Sequence, residues 1–151
     1  MGWLRSKRSD PATFLALSNQ ERLLLLEAMV LLPVVELSLR RTSYDRTRAR
    51  LARLAGRDRR APDPAVLVPS AVQMVAAAAS RTPVAAKCLA RSLTLWFLLR
   101  RRGCDAEVVI GVRPGGEPLD AHAWVERAGI PVNETQETVD SYARLLPGQS
   151  A

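Results

Sequence analysis

The chain has 151 residues, 48% of them hydrophobic, 25% charged and 5% aromatic, and a formal net charge of +7. That length suits one domain with a sizeable core, and the balance is that of a globular protein, not a disordered or fibrous one. Two cysteines and one histidine are too few for a disulfide framework or a Cys/His metal cluster, so no metal or cofactor is expected, and a reduced, cytoplasmic protein is.

In chain order, residues 1–17 read as an N-terminal tail. It is basic but runs into Pro11 with no apolar core and cleavage site, so it does not read as a secretory signal. Ser18 with Glu21 three residues on is a capping box that starts a Leu-rich helix, which Pro33 should end or kink. The most apolar stretch, Leu23 to Leu39, is interrupted by Glu27, Pro33 and Glu36, and no membrane span is expected. A second helix over Val34 to Leu54 shares Leu37, Tyr44, Leu51 and Leu54 along one face, with Arg41, Arg48 and Arg50 on the others, and Gly56 stops it.

The basic excess gathers between Arg40 and Arg60 and at Arg100 to Arg102. Only Tyr44 interleaves with the first run, and no zinc-finger or helix-turn-helix pattern appears. A nucleic-acid partner is therefore not expected; a solvated helix face or an acidic or extended peptide partner is.

Residues 61–69, rich in proline, read as a linker between a helical region (18–60) and a C-terminal core (70–151). A short helix is expected over Ala71 to Ala79. After Thr82 as cap and Pro83 in the first turn, a longer one should carry Cys88, Leu89, Leu93, Trp96 and Leu99. Arg100, Arg101 and Arg102 suit its negative end, and Gly103 supplies a left-handed cap. The period then changes. Strands are expected over Ala106 to Val112, Ala121 to Glu126 and Ile130 to Thr135, and a short helix over Val139 to Leu146. The fold class is α+β.

A single cysteine at a helix start is most often a small buried hydrophobe, and a single histidine on a strand a structural residue. Cys88 stands out because helix N-terminal amides, with Lys87 adjacent and Arg91 a turn away, favour a thiolate. A thiolate is the nucleophile of acyl transfer, and the imidazole of His122 is the matching base. If Arg127, Ala128 and Gly129 form a three-residue loop, Glu126 opposes Ile130 and His122 opposes Glu134, whose carboxylate then orients the ring. A two-residue turn opposes His122 to Thr135 instead and turns Glu134 to the other side. Asn133 is the alternative orienter. Gln73 is a candidate second oxyanion donor and Arg91 a candidate substrate contact, each set against an ordinary surface role. Trp124, on the side of the strand that carries His122, is a candidate cleft wall or a core residue.

Five segments occur in order: Cys88-Leu-Ala-Arg-Ser, Leu98-Leu-Arg-Arg-Arg-Gly103, Val109-Ile-Gly-Val, Ala121-His-Ala-Trp-Val-Glu126 and Pro131-Val-Asn-Glu134. As a set they resemble the leader peptidases of lasso-peptide biosynthesis, a transglutaminase-like or papain-like cysteine protease family. The resemblance spans most of residues 18–135. It implies a helical region followed by a transglutaminase-like core, with Cys88 as nucleophile, His122 as base and Glu134 at a position where the family usually has Asp. It also implies the substrate and partners: a ribosomally made precursor peptide, a separate leader-recognition protein and an ATP-dependent macrolactam cyclase. Two other readings compete, an acyltransferase on the same core and a non-catalytic basic helical adaptor.

Overall fold

The computed structural model describes residues 15–56, 62–82, 86–115 and 119–145. Helix α1 runs from Asn19 to Arg41. The Ser18 side chain accepts from Glu21 N–H, and the Glu21 carboxylate accepts from Ser18 N–H at 2.8 Å, so the expected capping box forms. The Ser18 hydroxyl also donates to that carboxylate at 2.8 Å, and the bonds from the Ser18 N–H and hydroxyl hold the Glu21 carboxyl below its usual 4.5.

Of the end or kink expected at Pro33, the end does not occur: the helix continues through it to Arg41. An internal proline costs about 3 kcal/mol. Leu32 and Val35 beside it are almost fully buried, as are Leu24 and Ala28 a turn or two earlier. Burying each large aliphatic side chain contributes roughly 1.5–3 kcal/mol, so packing outweighs the proline. The break comes instead at Thr42 and Ser43. The Thr42 backbone N–H and hydroxyl both donate to Ser38 O, and Ser43 caps helix α2, Tyr44–Ala55. The buried Thr47 hydroxyl bonds those of Ser38 (2.9 Å) and Thr42 (3.1 Å) at this corner. The single helix expected over Val34 to Leu54 is thus two, because a Thr-Ser pair satisfies helix ends better than a helix interior. Gly56 stops α2 at a positive φ of 59°.

The expected linker is a helix for most of its length. Asp63 accepts from Ala65 N–H at 2.9 Å, Pro64 occupies the first turn, and helix α3 runs Pro64–Arg81. Asp-Pro is a start signal whose proline lacks an N–H where none is needed. Thr82 closes α3 by bonding Ala78 O, so it does not open the next helix; Pro83 lies outside the described residues.

Helix α4, Cys88–Arg101, is the centre of the molecule. Every residue from Ser92 to Leu99 is buried. It packs against α1, α3 and α2, and against the sheet. At its end Gly103 takes φ 75°, its N–H donates to Arg100 O and that of Cys104 to Leu99 O. That is the left-handed cap the sequence implies.

Strands β1 (Glu107–Val112), β2 (Ala121–Arg127), β3 (Ile130–Pro131) and β4 (Ala143–Arg144) form one antiparallel sheet in the order β3-β2-β1-β4. The last two strands sit at opposite edges. The segment between them, with the short helix α5 (Gln136–Asp140), therefore crosses from one edge to the other. Where a helix was expected over Val139 to Leu146, the chain turns after Asp140 and adds β4 to the β1 edge. Arg144 anchors it with a two-pronged ion pair to buried Glu126, at 2.9 and 2.8 Å.

The fold class is α+β, as the sequence implies. No helix among the described residues is long and apolar enough to cross a membrane. Leu93 is fully buried in α4 and Leu26 is 52% exposed on α1. Leu93→Ala should lower unfolding free energy by about 2–5 kcal/mol, and Leu26→Ala by under about 0.5 kcal/mol, in urea denaturation followed by circular dichroism.

Candidate active site

Cys88 is the first residue of α4, half-buried, with Lys87 as the helix cap. The Lys87 side chain makes no capping bond. Its backbone N–H donates instead to the Glu36 carboxylate, 3.3 Å away on α1. Glu36 is only 3% exposed and also accepts from Arg40 at 3.0 Å, so α1 fixes where the helix that carries Cys88 begins. One turn beyond Cys88, the Ser92 hydroxyl donates to Ala123 O at 2.9 Å. This buried bond ties the face of α4 that carries Cys88 to the residue next to His122.

His122 lies near the start of β2, opposite Gly111. Its Nε2 is 2.7 Å from Glu134 Oε1. A carboxylate accepts hydrogen bonds, so Nε2 carries the proton in this pair and Nδ1 is left as the basic nitrogen.

The route by which Glu134 reaches the ring differs from the expected one. The β2–β3 connection is a two-residue turn, Ala128-Gly129, with φ of 50° and 76°, which pairs Arg127 with Ile130 and Glu126 with Pro131. In that register Glu134 would face away if β3 continued. It does not continue: pairing ends at Pro131 and the chain bends through residues 132–134. The bend is pinned by Val132 N–H to Val125 O (2.9 Å) and by Val125 N–H to Asn133 Oδ1 (2.7 Å). Asn133 therefore holds the bend, not the imidazole, and the bend delivers Glu134.

Trp124 is fully buried, so it walls no open cleft. It backs the imidazole, with ring centroids 6.2 Å apart, and its indole N–H donates to Glu126 at 2.7 Å. Arg91 is exposed and forms no ion pair among the described residues. Gln73 is exposed on α3, and none of the side-chain hydrogen bonds among the described residues links it to the site. Cys104 is buried after α4.

Tyr142 was not singled out by the sequence. Its ring lies 5.4 Å from the imidazole and 6.3 Å from Trp124. Its hydroxyl is 3.3 Å from both oxygens of Asp120, and Arg113 donates to it at 3.1 Å. A Cβ added at Gly111 would meet the Tyr142 Cβ at 2.8 Å and the Trp124 ring at 2.9 Å, so only glycine fits beneath these rings. Burial pushes the Tyr142 phenol above its usual 10.0; Arg113 opposes that shift and Asp120 adds to it. The one sequence signal was Gly111, a glycine inside a strand.

Residues 29–147 match the family model described as the transglutaminase-like superfamily. The chain belongs to that superfamily. No curated protein and no solved structure matches it. Membership in this transglutaminase-like superfamily points to cysteine-based amide chemistry in general, protease or acyltransferase.

The single histidine makes the tautomer directly observable. In long-range ¹H–¹⁵N spectra of histidine-labelled protein, with the ring neutral, the proton should reside on Nε2, and Glu134→Ala should move both ring nitrogens toward a mixed-tautomer average. Tyr44 and Tyr142 are the two tyrosines, and both phenols are raised above 10.0, Tyr44 chiefly by burial. Unfolded phenols ionise first, so the stability they contribute is complete below about pH 10 and is lost as pH rises through the folded values. Absorbance at 295 nm should show both midpoints above 10.0, with alkaline unfolding beginning in the same range.

Proposed function

We propose that this chain is a cysteine peptidase that removes the leader segment from a ribosomally made lasso-peptide precursor. The observation that carries the catalytic part is the 2.7 Å contact of His122 Nε2 with Glu134, which leaves Nδ1 free to act as a base, while the Ser92–Ala123 bond ties the helix that Cys88 begins to the strand that carries His122. The substrate class rests on the ordered motifs from Cys88 to Glu134.

In this reading Nδ1 of His122 takes the thiol proton and the Cys88 thiolate attacks the scissile carbonyl carbon. The oxyanion is met by backbone N–H groups at the start of α4, where amides without intrahelical partners point outward. Collapse breaks the C–N bond, and the departing amine takes its proton from the imidazolium. Water, deprotonated by His122, then hydrolyses the thioester and releases the leader with a new carboxylate. Glu134 holds the ring orientation and balances the imidazolium charge through the cycle. A separate leader-recognition protein would present the precursor, and a macrolactam cyclase would take up the freed amine.

Superfamily membership equally suits an acyltransferase, in which an amine intercepts the thioester. The products separate the two: hydrolysis leaves a carboxylate, and transfer leaves an amide heavier by the amine. Mass spectrometry of precursor peptides incubated with the protein and a leader-binding partner tests the proposal. Cys88→Ala and His122→Ala should abolish cleavage with native circular dichroism, and Glu134→Ala should lower kcat by about 10²–10⁴-fold. Authentic precursors left uncut by the unaltered protein would overturn the peptidase reading.

A further inference from the structure

We propose that Arg113, Asp120 and Tyr142 form a clasp that positions His122, with Tyr142 as the residue that fixes the plane of the imidazole. The proposal deepens the catalytic reading and rests on it for the role of His122.

A hydrogen bond from one ring nitrogen leaves an imidazole free to swing about that bond. Glu134 supplies one such bond, at Nε2. What restrains the swing is packing on the ring, and two aromatic side chains provide it, Trp124 at 27° and Tyr142 at 34° to the imidazole plane. Trp124 is immobilised by full burial and by its bond to Glu126. Tyr142 is held differently. It sits just before β4, a strand of two residues at the sheet edge, and it is only partly buried.

The clasp supplies the missing constraint. Arg113 and Asp120 are the two ends of the β1–β2 loop, joined by Arg113 N–H to Asp120 O at 2.8 Å and by an ion pair of 3.4 Å. Both reach the Tyr142 hydroxyl, and the Arg113 guanidinium also lies 4.8 Å over the phenol ring. The pair is half-exposed, at 49% and 41%, so as a salt bridge alone it would contribute little to stability. Its geometry matters more than its energy: the loop base and the crossover segment are locked to each other across the ring that packs on His122. Gly111, directly opposite His122, leaves the space this requires. Tyr142 and its two partners are thus positioning residues that act on catalysis through the imidazole.

The test compares Tyr142→Ala, Tyr142→Phe, Asp120→Asn and Arg113→Ala by precursor cleavage and by the ring-nitrogen spectrum of the single histidine. A displacement of the base on the order of 1 Å costs about 10²-fold, so Tyr142→Ala should lose roughly 10- to 100-fold in kcat with KM within about threefold. Its ring nitrogens should move toward the mixed-tautomer average. Tyr142→Phe keeps the ring but removes the hydroxyl that both partners reach, so it should recover only part of that loss. Asp120→Asn and Arg113→Ala, which leave all three rings and one partner of the hydroxyl intact, should each fall measurably below the unaltered protein. If Tyr142→Ala does not fold, the other three variants carry the comparison. Wild-type kcat and ring-nitrogen shifts in Asp120→Asn and Arg113→Ala would overturn the clasp while leaving the peptidase reading standing. Unaltered protein that cuts no precursor, with ring nitrogens that respond to the variants as stated, would overturn the peptidase reading and uphold the clasp.

Discussion

The burial of α4 is the constraint on which the rest of the structure depends. A helix buried from Ser92 through Leu99 has no face to give to water, so it must be covered on every side. Helices α1, α2 and α3 cover part of it and the sheet covers the rest. Only its ends reach the surface, and Cys88 occupies the N-terminal one. The same packing that buries the helix therefore fixes the position of the thiol, and the Glu36 carboxylate on α1 sets the backbone just before it. The placement of Cys88 is a property of the core, reached through helices that precede it in sequence.

The sheet solves the complementary problem of bringing an imidazole and a carboxylate together near that end. Here the sequence was readable in parts. The capping box at Ser18, the glycine stops at Gly56 and Gly103, and the strand over 107–112 were legible because each depends on local chemistry. The register of β2 with β3 was not. It turns on Ala128 adopting a positive φ, which an alanine adopts only at a cost, and on pairing that ends at Pro131. Strand arithmetic named Glu134 through a pairing that does not exist; the contact forms through a bend that Asn133 pins. The partner was found from the sequence and the path to it was not.

Other mismatches share one cause. Pro33 and the proline-rich stretch from Pro62 to Pro69 looked like breaks because local propensity is weighed residue by residue. Tertiary burial is weighed over a whole face, and α1 and α3 bury enough aliphatic surface to keep their prolines. Tyr142 was missed for the opposite reason. Nothing around it in sequence marks it, and its neighbours His122, Asp120 and Arg113 meet it only because the crossover carries it back to the β1 edge.

The positive charge also reads differently once the fold is known. Arg48 and Arg100 lie over Trp96 at 5.2 and 5.6 Å, so guanidinium groups from α2 and α4 share one indole. Arg102 pairs with Glu27 of α1, Arg40 with Glu36, Arg144 with Glu126 and Arg113 with Asp120. A planar guanidinium can bond a carboxylate and stack on an aromatic ring, which suits it to fastening one element to another. Three of these pairs bear on the site itself: Arg40 partners the carboxylate that meets the N-terminus of α4, Arg144 holds the strand that follows Tyr142, and Arg113 and Asp120 meet the Tyr142 hydroxyl. Part of the arginine excess is thus spent inside the molecule, on keeping the elements around Cys88 and His122 in register.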